Sequence, residues 1–127
     1  MKEIKFRVWY RDKKKMYYNV EKGFLRFSFC DMITEDSFYI MQFTGLYDKN
    51  GVEIYEGDIV KTPEDYDEFG MQAGEINKVV FRFGGFRLFP KYNKDAKGFC
   101  LEDDGIFEVI GNVYENPELL GEKEEWV

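Results

Sequence analysis

The stretch Gln42-Phe43-Thr44-Gly45-Leu46-Tyr47-Asp48-Lys49-Asn50-Gly51-Val52-Glu53-Ile54-Tyr55-Glu56-Gly57-Asp58-Ile59-Val60 constrains the fold more than any other part of the chain. Three glycines punctuate it. Asp48-Lys49-Asn50-Gly51 is a turn signal, since Asn-Gly tolerates the positive φ that a tight hairpin needs. Glu56-Gly57-Asp58 is a second corner, and Ile59-Val60-Lys61 opens a new strand. Apolar runs this short, broken by glycine turns, read as antiparallel strands.

The same pattern extends along the chain. Ile4, Phe6, Val8 and Tyr10 alternate with Lys5, Arg7 and Trp9, a strand with one apolar inner face. Arg11 to Lys15 is a polar break, and Met16-Tyr17-Tyr18-Asn19-Val20 resumes the extended pattern, which predicts a hairpin with a basic tip. Residues 24–29 and 38–43 read as two more strands, joined by a polar connection over 31–37. Residues 62–73 are polar and acidic and carry Pro63, as expected of a long surface loop. A strand rich in β-branched residues follows over 75–83, turned by Gly84-Gly85 into Phe86-Arg87-Leu88-Phe89, with another loop over 90–98. Residues 107–114 form a last strand, with Gly111 as a bulge or a close backbone approach. Asn116, Pro117 and Glu118 suit a helix start, and Gly121 a stop. The expected class is all-β, with one brief C-terminal helix.

Composition narrows the function. At 127 residues the chain is one domain or two small lobes. Its 13 Phe, 9 Tyr and 2 Trp supply a core of large rings that suit pleated strands. The net charge of −7 is uneven: residues 1–30 hold nine Lys/Arg against three Asp/Glu, and residues 31–127 hold nine against 22. The acidic majority disfavours a broad nucleic-acid surface and leaves a local amino-terminal basic patch. Cys30 and Cys100, without a Cys-x-x-Cys or any His, read as reduced thiols of a cytoplasm. Each follows a Phe and is expected to be a small buried apolar group. No window approaches a membrane span.

The ordered motifs Ile4-Lys5-Phe6-Arg7-Val8-Trp9 with Lys14-Lys15-Met16, Gln42-Phe43-Thr44-Gly45-Leu46, Asp48-Lys49-Asn50-Gly51, Ile54-Tyr55-Glu56-Gly57-Asp58-Ile59-Val60 and Glu108-Val109-Ile110-Gly111-Asn112-Val113-Tyr114-Glu115-Asn116-Pro117-Glu118-Leu119-Leu120 resemble the YopX family of phage and prophage proteins. Tyr10 stands where many relatives carry an acidic residue. The resemblance implies an SH3-like barrel over about residues 55–114, preceded by N-terminal β-hairpins. The implied division is a hairpin lobe at 1–54 and a barrel with a C-terminal helical turn at 55–127. It also implies a phage or prophage origin and a bacterial host cytoplasm, and it supplies no catalytic residue and no cofactor. Within the matching motifs, Thr44, Gly45, Asn50, Gly51, Gly57, Asp58, Gly111, Asn112 and Pro117 are expected to be architectural.

The candidate chemistry is sparse. Asp48, Glu53, Glu56 and Asp58 gather four carboxylates, but their spacing is not that of a calcium loop. Asp48 is expected to shape its turn, and Asp58 to satisfy backbone N–H groups at the Gly57 corner. Asp65, Asp67, Glu68, Glu102, Asp103 and Asp104 lie in acidic loops that read as solvated charge, and no metal site is expected. Trp9, Lys13, Lys14, Lys15 and Tyr17 interleave rings with positive charge, a pattern that suits single-stranded nucleic acid or a protein partner. The alternative is a hairpin whose rings pack inward and whose lysines mark the turn. The sequence therefore points first to a non-enzymatic accessory protein that acts through binding, as a homo-oligomer or with a host or phage protein. A nucleic-acid module on the N-terminal hairpin comes second, and a metal-dependent enzyme using the acidic loops third.

Overall fold

A computed structural model describes residues 3–66, 73–91 and 98–121. Within them the chain is mostly β, in two antiparallel sheets. The first contains β1 (Phe6–Tyr10), β2 (Lys15–Tyr18), β3 (Phe38–Tyr47) and β4 (Glu53–Tyr55), in the order β2-β1-β3-β4. The second contains β5 (Asp58–Lys61), β6 (Ile76–Arg82), β7 (Gly85–Pro90), β8 (Phe99–Cys100) and β9 (Glu108–Asn112), in the order β8-β7-β6-β5-β9. One helix, α1 (Phe29–Thr34), and one 3-10 turn (Pro117–Leu120) complete the described elements.

The alternation works as expected from Phe6 onward, while Ile4 precedes β1 and is 67% exposed instead of facing inward. Phe6, Val8 and Tyr10 join a core with Val20, Met32 and Phe38. Arg7 and Trp9 face the other way. A second core of Ile54, Val60, Val79, Leu88, Leu101 and Phe107 fills the second sheet. β3 is ten residues long because it serves two partners: Phe38 to Gln42 pair with β1, and Phe43 and Tyr47 pair with β4. The register shifts between Phe43 and Tyr47, where Gly45 takes φ 89°. Thr44 holds this irregular stretch: its hydroxyl donates to the Ile54 carbonyl at 2.7 Å and accepts from the Leu46 amide at 3.1 Å.

The turns follow the glycines, with one difference in kind. At the β3–β4 turn Gly51 lies at φ 82° and Asn50 does not enter the left-handed region. The Gly51 amide donates to the Asp48 carbonyl and the Asp48 amide to the Val52 carbonyl. That is a three-residue hairpin loop, a type I turn closed by a glycine bulge, in place of a two-residue mirror-image turn. Opposite Gly111, the β5–β9 register slips between Ile59 and Val60. A Cβ on Gly111 would stand 2.6 Å from the Asn116 Oδ1, so Gly111 is both next to a bulge and a close approach.

Three expectations are corrected. Residues 24–29 do not form a strand. Phe24 and Phe27 make one bridge around a tight turn, with Leu25 at φ 55°. α1 then starts on a capping box, Ser28 accepting from the Asp31 amide while Asp31 accepts from the Ser28 amide. The connection over 31–37 is thus largely helix. Cys30 and Cys100 are both exposed. Cys30 lies on the solvent side of α1, two positions from buried Met32, and Cys100 points out of the edge strand β8, where its Sγ accepts from Arg87 at 3.3 Å. At the C-terminus Pro117 opens only a single 3-10 turn. Asn116 does not cap it through its side chain, because the Asn116 Oδ1 is already accepting from the Asn112 amide at 3.2 Å.

Candidate functional site at the seam of the two sheets

The polar face of β1 meets the start of the second sheet, and Arg7 is the residue that crosses. It is 3% exposed. Its guanidinium donates to the Asp58 Oδ1 at 2.8 Å, to the Glu56 carbonyl at 3.3 Å and to the Tyr18 hydroxyl at 3.4 Å. The same group lies 4.7 Å from the centre of the Tyr55 ring and 5.8 Å from that of Tyr18, so rings cover the cation that water does not reach. Its Nε is buried without a partner.

Asp58 owes its position to Gly57. Gly57 sits at φ 89°, and a Cβ there would come within 2.9 Å of the Met41 Sδ. This corner turns the Asp58 side chain back, so that its Oδ2 accepts from the Tyr55 amide at 2.7 Å. The expected role at the corner is met, and Arg7 is added to it. Burial pushes the Asp58 carboxyl up to about 6, against the downward pull of Arg7 and of the Tyr55 amide. Burial also raises Glu56, whose Oε1 accepts from the Gln42 amide at 3.3 Å. Glu53 binds Lys5 and accepts from the Tyr55 hydroxyl at 3.0 Å; burial, then that hydrogen bond, raises the phenol strongly.

A cleft of about 360 Å³ opens beside this network. Its walls include Arg7, Tyr18, Val52, Glu53, Tyr55, Asp58, Gly111, Asn112, Glu115 and Asn116. Asn112 shapes its floor: its Oδ1 accepts from the Tyr114 and Glu115 amides, and its Nδ2 donates to Glu115 at 2.8 Å. The cleft is therefore polar at its base and ringed by Tyr18, which is 51% exposed, and Val52. It has one buried cation and three carboxylates, but no group of three or more potential metal ligands occurs among the described residues.

Asp48 is spent differently. It is 2% exposed and accepts from the amides of Asn50, Val52 and Val109 at 2.8 to 3.0 Å. It shapes the turn as expected and also pins the turn to β9. Among the acidic loops, Asp104 accepts from the Tyr47 amide at 2.7 Å and Asp103 from the Tyr66 hydroxyl at 3.3 Å. Asp67 and Glu68 lie outside the described residues.

The amino-terminal candidates do not share one surface. Lys13, Lys14 and Lys15 are exposed at the hairpin tip, with Lys14 at φ 51°. Tyr17 pairs with Val8, on the core side, and its ring lies 4.3 Å from that of Phe24. Trp9 pairs with Met16, on the opposite side, and stacks on Tyr114 at 5.7 Å. Tyr114 stacks in turn on Tyr39 at 5.2 Å, and burial pushes its hydroxyl up to about 12. Arg7 and Asp58 carry the seam, and sequence reasoning did not single them out as a pair. Arg7 occupies a polar position of an alternating strand, where charge is ordinarily solvated, and its partner is 51 residues away.

The YopX protein family matches residues 5–121. The protein EF1440 of Enterococcus faecalis, known from a crystal structure, is similar: 30% identical, with 94% of this chain and 99% of that chain covered, at a TM-score of 0.59. The protein yopX of Bacillus subtilis shares the fold at 24% identity, covering 91% of this chain and 96% of its own, with a TM-score of 0.54. No curated protein matches the chain. With nearly its whole length matched by one family and a 30% identical relative of the same extent, the chain belongs to the YopX protein family.

Proposed function

We propose that this chain is a non-enzymatic accessory protein of phage or prophage origin that acts in the bacterial cytoplasm through binding or self-assembly, of which self-assembly is favoured, on a scaffold whose second sheet is an SH3-like barrel. The observation that carries this reading is the placement of its large apolar groups. Phe81 and Phe83 stand 49% and 63% exposed near the end of one hairpin, although other rings of the chain are buried in or packed against the two cores. Exposed rings gathered at one hairpin end, here on both of its faces, mark a contact surface more than rings scattered singly do. The buried carboxylates point the same way, since Asp48 and Asp58 are engaged by backbone amides and by Arg7.

Light scattering after size exclusion tests it. At tens of micromolar protein and physiological salt the expected mass is a multiple of one chain. A single-chain mass at 100 μM would sink self-assembly. The second reading, single-stranded nucleic acid on the N-terminal hairpin, rests on the exposed Lys13, Lys14 and Lys15. It predicts retention on single-stranded DNA at low salt that Lys→Glu changes at the three positions abolish.

A further inference from the structure

The hairpin of β6 and β7 is unlike the rest of the molecule. Residues 76–91 hold Lys78, Arg82, Arg87 and Lys91 and no carboxylate, in a chain of net charge −7. On its β6 side the hairpin also outruns its neighbour β5, whereas on its β7 side the Leu101 amide still donates to the Phe86 carbonyl. Pairing with β5 ends at Lys78, with a last bond from the Gly57 amide to the Val79 carbonyl, while β6 and β7 stay paired out to Arg82 and Gly85. The tip is a two-residue turn with Phe83 at φ 58° and Gly84 at φ 82°. Both central positions of such a turn need positive φ, which suits Asn, Asp or Gly and strains a phenylalanine. The strained residue does not serve the core: its ring is 63% exposed, with the Arg87 guanidinium 5.4 Å from its centre. Phe81 is on the other face of the hairpin, edge-on to Phe86 at 5.0 Å.

The complement of this tip is on the same chain. The seam cleft has a volume in the range of pockets that hold a small ring-bearing group. It is rimmed by exposed Tyr18 and Val52. Lys5 is bound to Glu53 and Arg7 to Asp58, so the uncompensated negative charge of the cleft falls to exposed Glu115. A protruding ring flanked by arginines fits an aromatic-walled hollow with a carboxylate at its edge, in both shape and sign.

We infer that the β6–β7 tip of one copy docks in the seam cleft of a second copy, with the Phe83 ring between Tyr18 and Val52 and an arginine of the tip against Glu115. Tip and cleft are different surfaces, so every copy offers one of each to its neighbours. The docking rests on the self-assembly reading and specifies its interface.

Two substitutions and their mixture test the inference. Phe83→Asn suits the left-handed turn, so it leaves the melting temperature equal to or above that of the unsubstituted chain while weakening self-association about tenfold or more. Val52→Lys, at a position 47% exposed, places a cation in the cleft and has the same effect. Mixed in equal amounts, the two variants restore one contact, between the intact tip of Val52→Lys and the intact cleft of Phe83→Asn, and yield a particle of two chains. An oligomer that survives either substitution, or a mixture that stays monomeric, overturns the docking while leaving self-assembly standing. An unsubstituted chain that is monomeric at 100 μM overturns both. A monomer whose retention on single-stranded DNA is lost in Phe83→Asn assigns the tip to nucleic acid instead.

Discussion

Asp48 and Asp58 lie ten positions apart, both 2% exposed, both at a turn followed by a strand. Their surroundings differ. Asp48 is surrounded by three backbone amides and no cation within the seam. Asp58 has one amide and the Arg7 guanidinium. Amides from Asn50 and Val52 come from the same hairpin, so Asp48 is mainly a local organiser with one long-range bond to β9. Asp58 is a tie between sheets, because Arg7 comes from the other one. Two carboxylates with one degree of burial can thus have different reach, and burial alone does not distinguish them.

The largest expected effect tests the tie. Arg7→Ala leaves Asp58 buried without its cation and costs about 4 kcal/mol at neutral pH, measured by urea unfolding. Arg7→Ala combined with Asp58→Asn recovers part of that loss. A cost below about 1 kcal/mol would reduce Asp58 to the rank of Asp48.

Acidity sharpens the contrast next. The Asp58 carboxyl is held near 6, against an ordinary 3.8. Between those values the folded chain keeps a proton that the unfolded chain has lost. Stability from this group is therefore fully present below about pH 4 and falls as pH rises through 6. Relative to Asp58→Asn, in which the other titrations cancel, the unsubstituted chain loses about 3 kcal/mol over that window. A flat difference from pH 4 to 7.5 would break the assignment.

Asp48→Ala ranks third, at about 2 kcal/mol. Asn50 and Val52 are exposed, so water can replace the carboxylate at their amides, whereas the Val109 amide is less accessible. Hydrogen exchange should quicken at Val109 more than at Asn50. Smallest is Tyr18→Phe, below about 0.5 kcal/mol, since a 3.4 Å bond on a half-exposed ring is readily replaced by water. A larger loss would mean that the ring is held by its hydroxyl and not by its stacking on Arg7.

What could be read in advance follows from the range of the forces involved. Period-two alternation placed Phe6, Val8 and Tyr10 correctly because a strand's two faces are set within a few residues. Gly51, Gly57 and Gly111 marked turns and close approaches because φ and steric room are local properties. α1 was also encoded locally, in Ser28 and Asp31, but the surrounding phenylalanines suggested a strand more strongly than two capping residues suggested a helix. The exposure of Cys30 depended on that helix and was misread with it. The Arg7–Asp58 pair, the split of Trp9 and Tyr17 onto opposite faces, and the cleft all depend on pairings between distant residues. No window of sequence contains them.

β4 is three residues long, and its middle residue, Ile54, is fully buried in the core of the sheet that β4 does not belong to. This matters for dissecting the chain. A fragment starting at Tyr55 lacks the Ile54 side chain in its core, and one ending at Ile54 lacks Asp58, the counter-charge of its Arg7. Each piece made alone should be poorly soluble and slow to settle into one conformation. Co-expressed, the two should recover a soluble complex, as a protein cut in two does when its halves supply each other's missing parts.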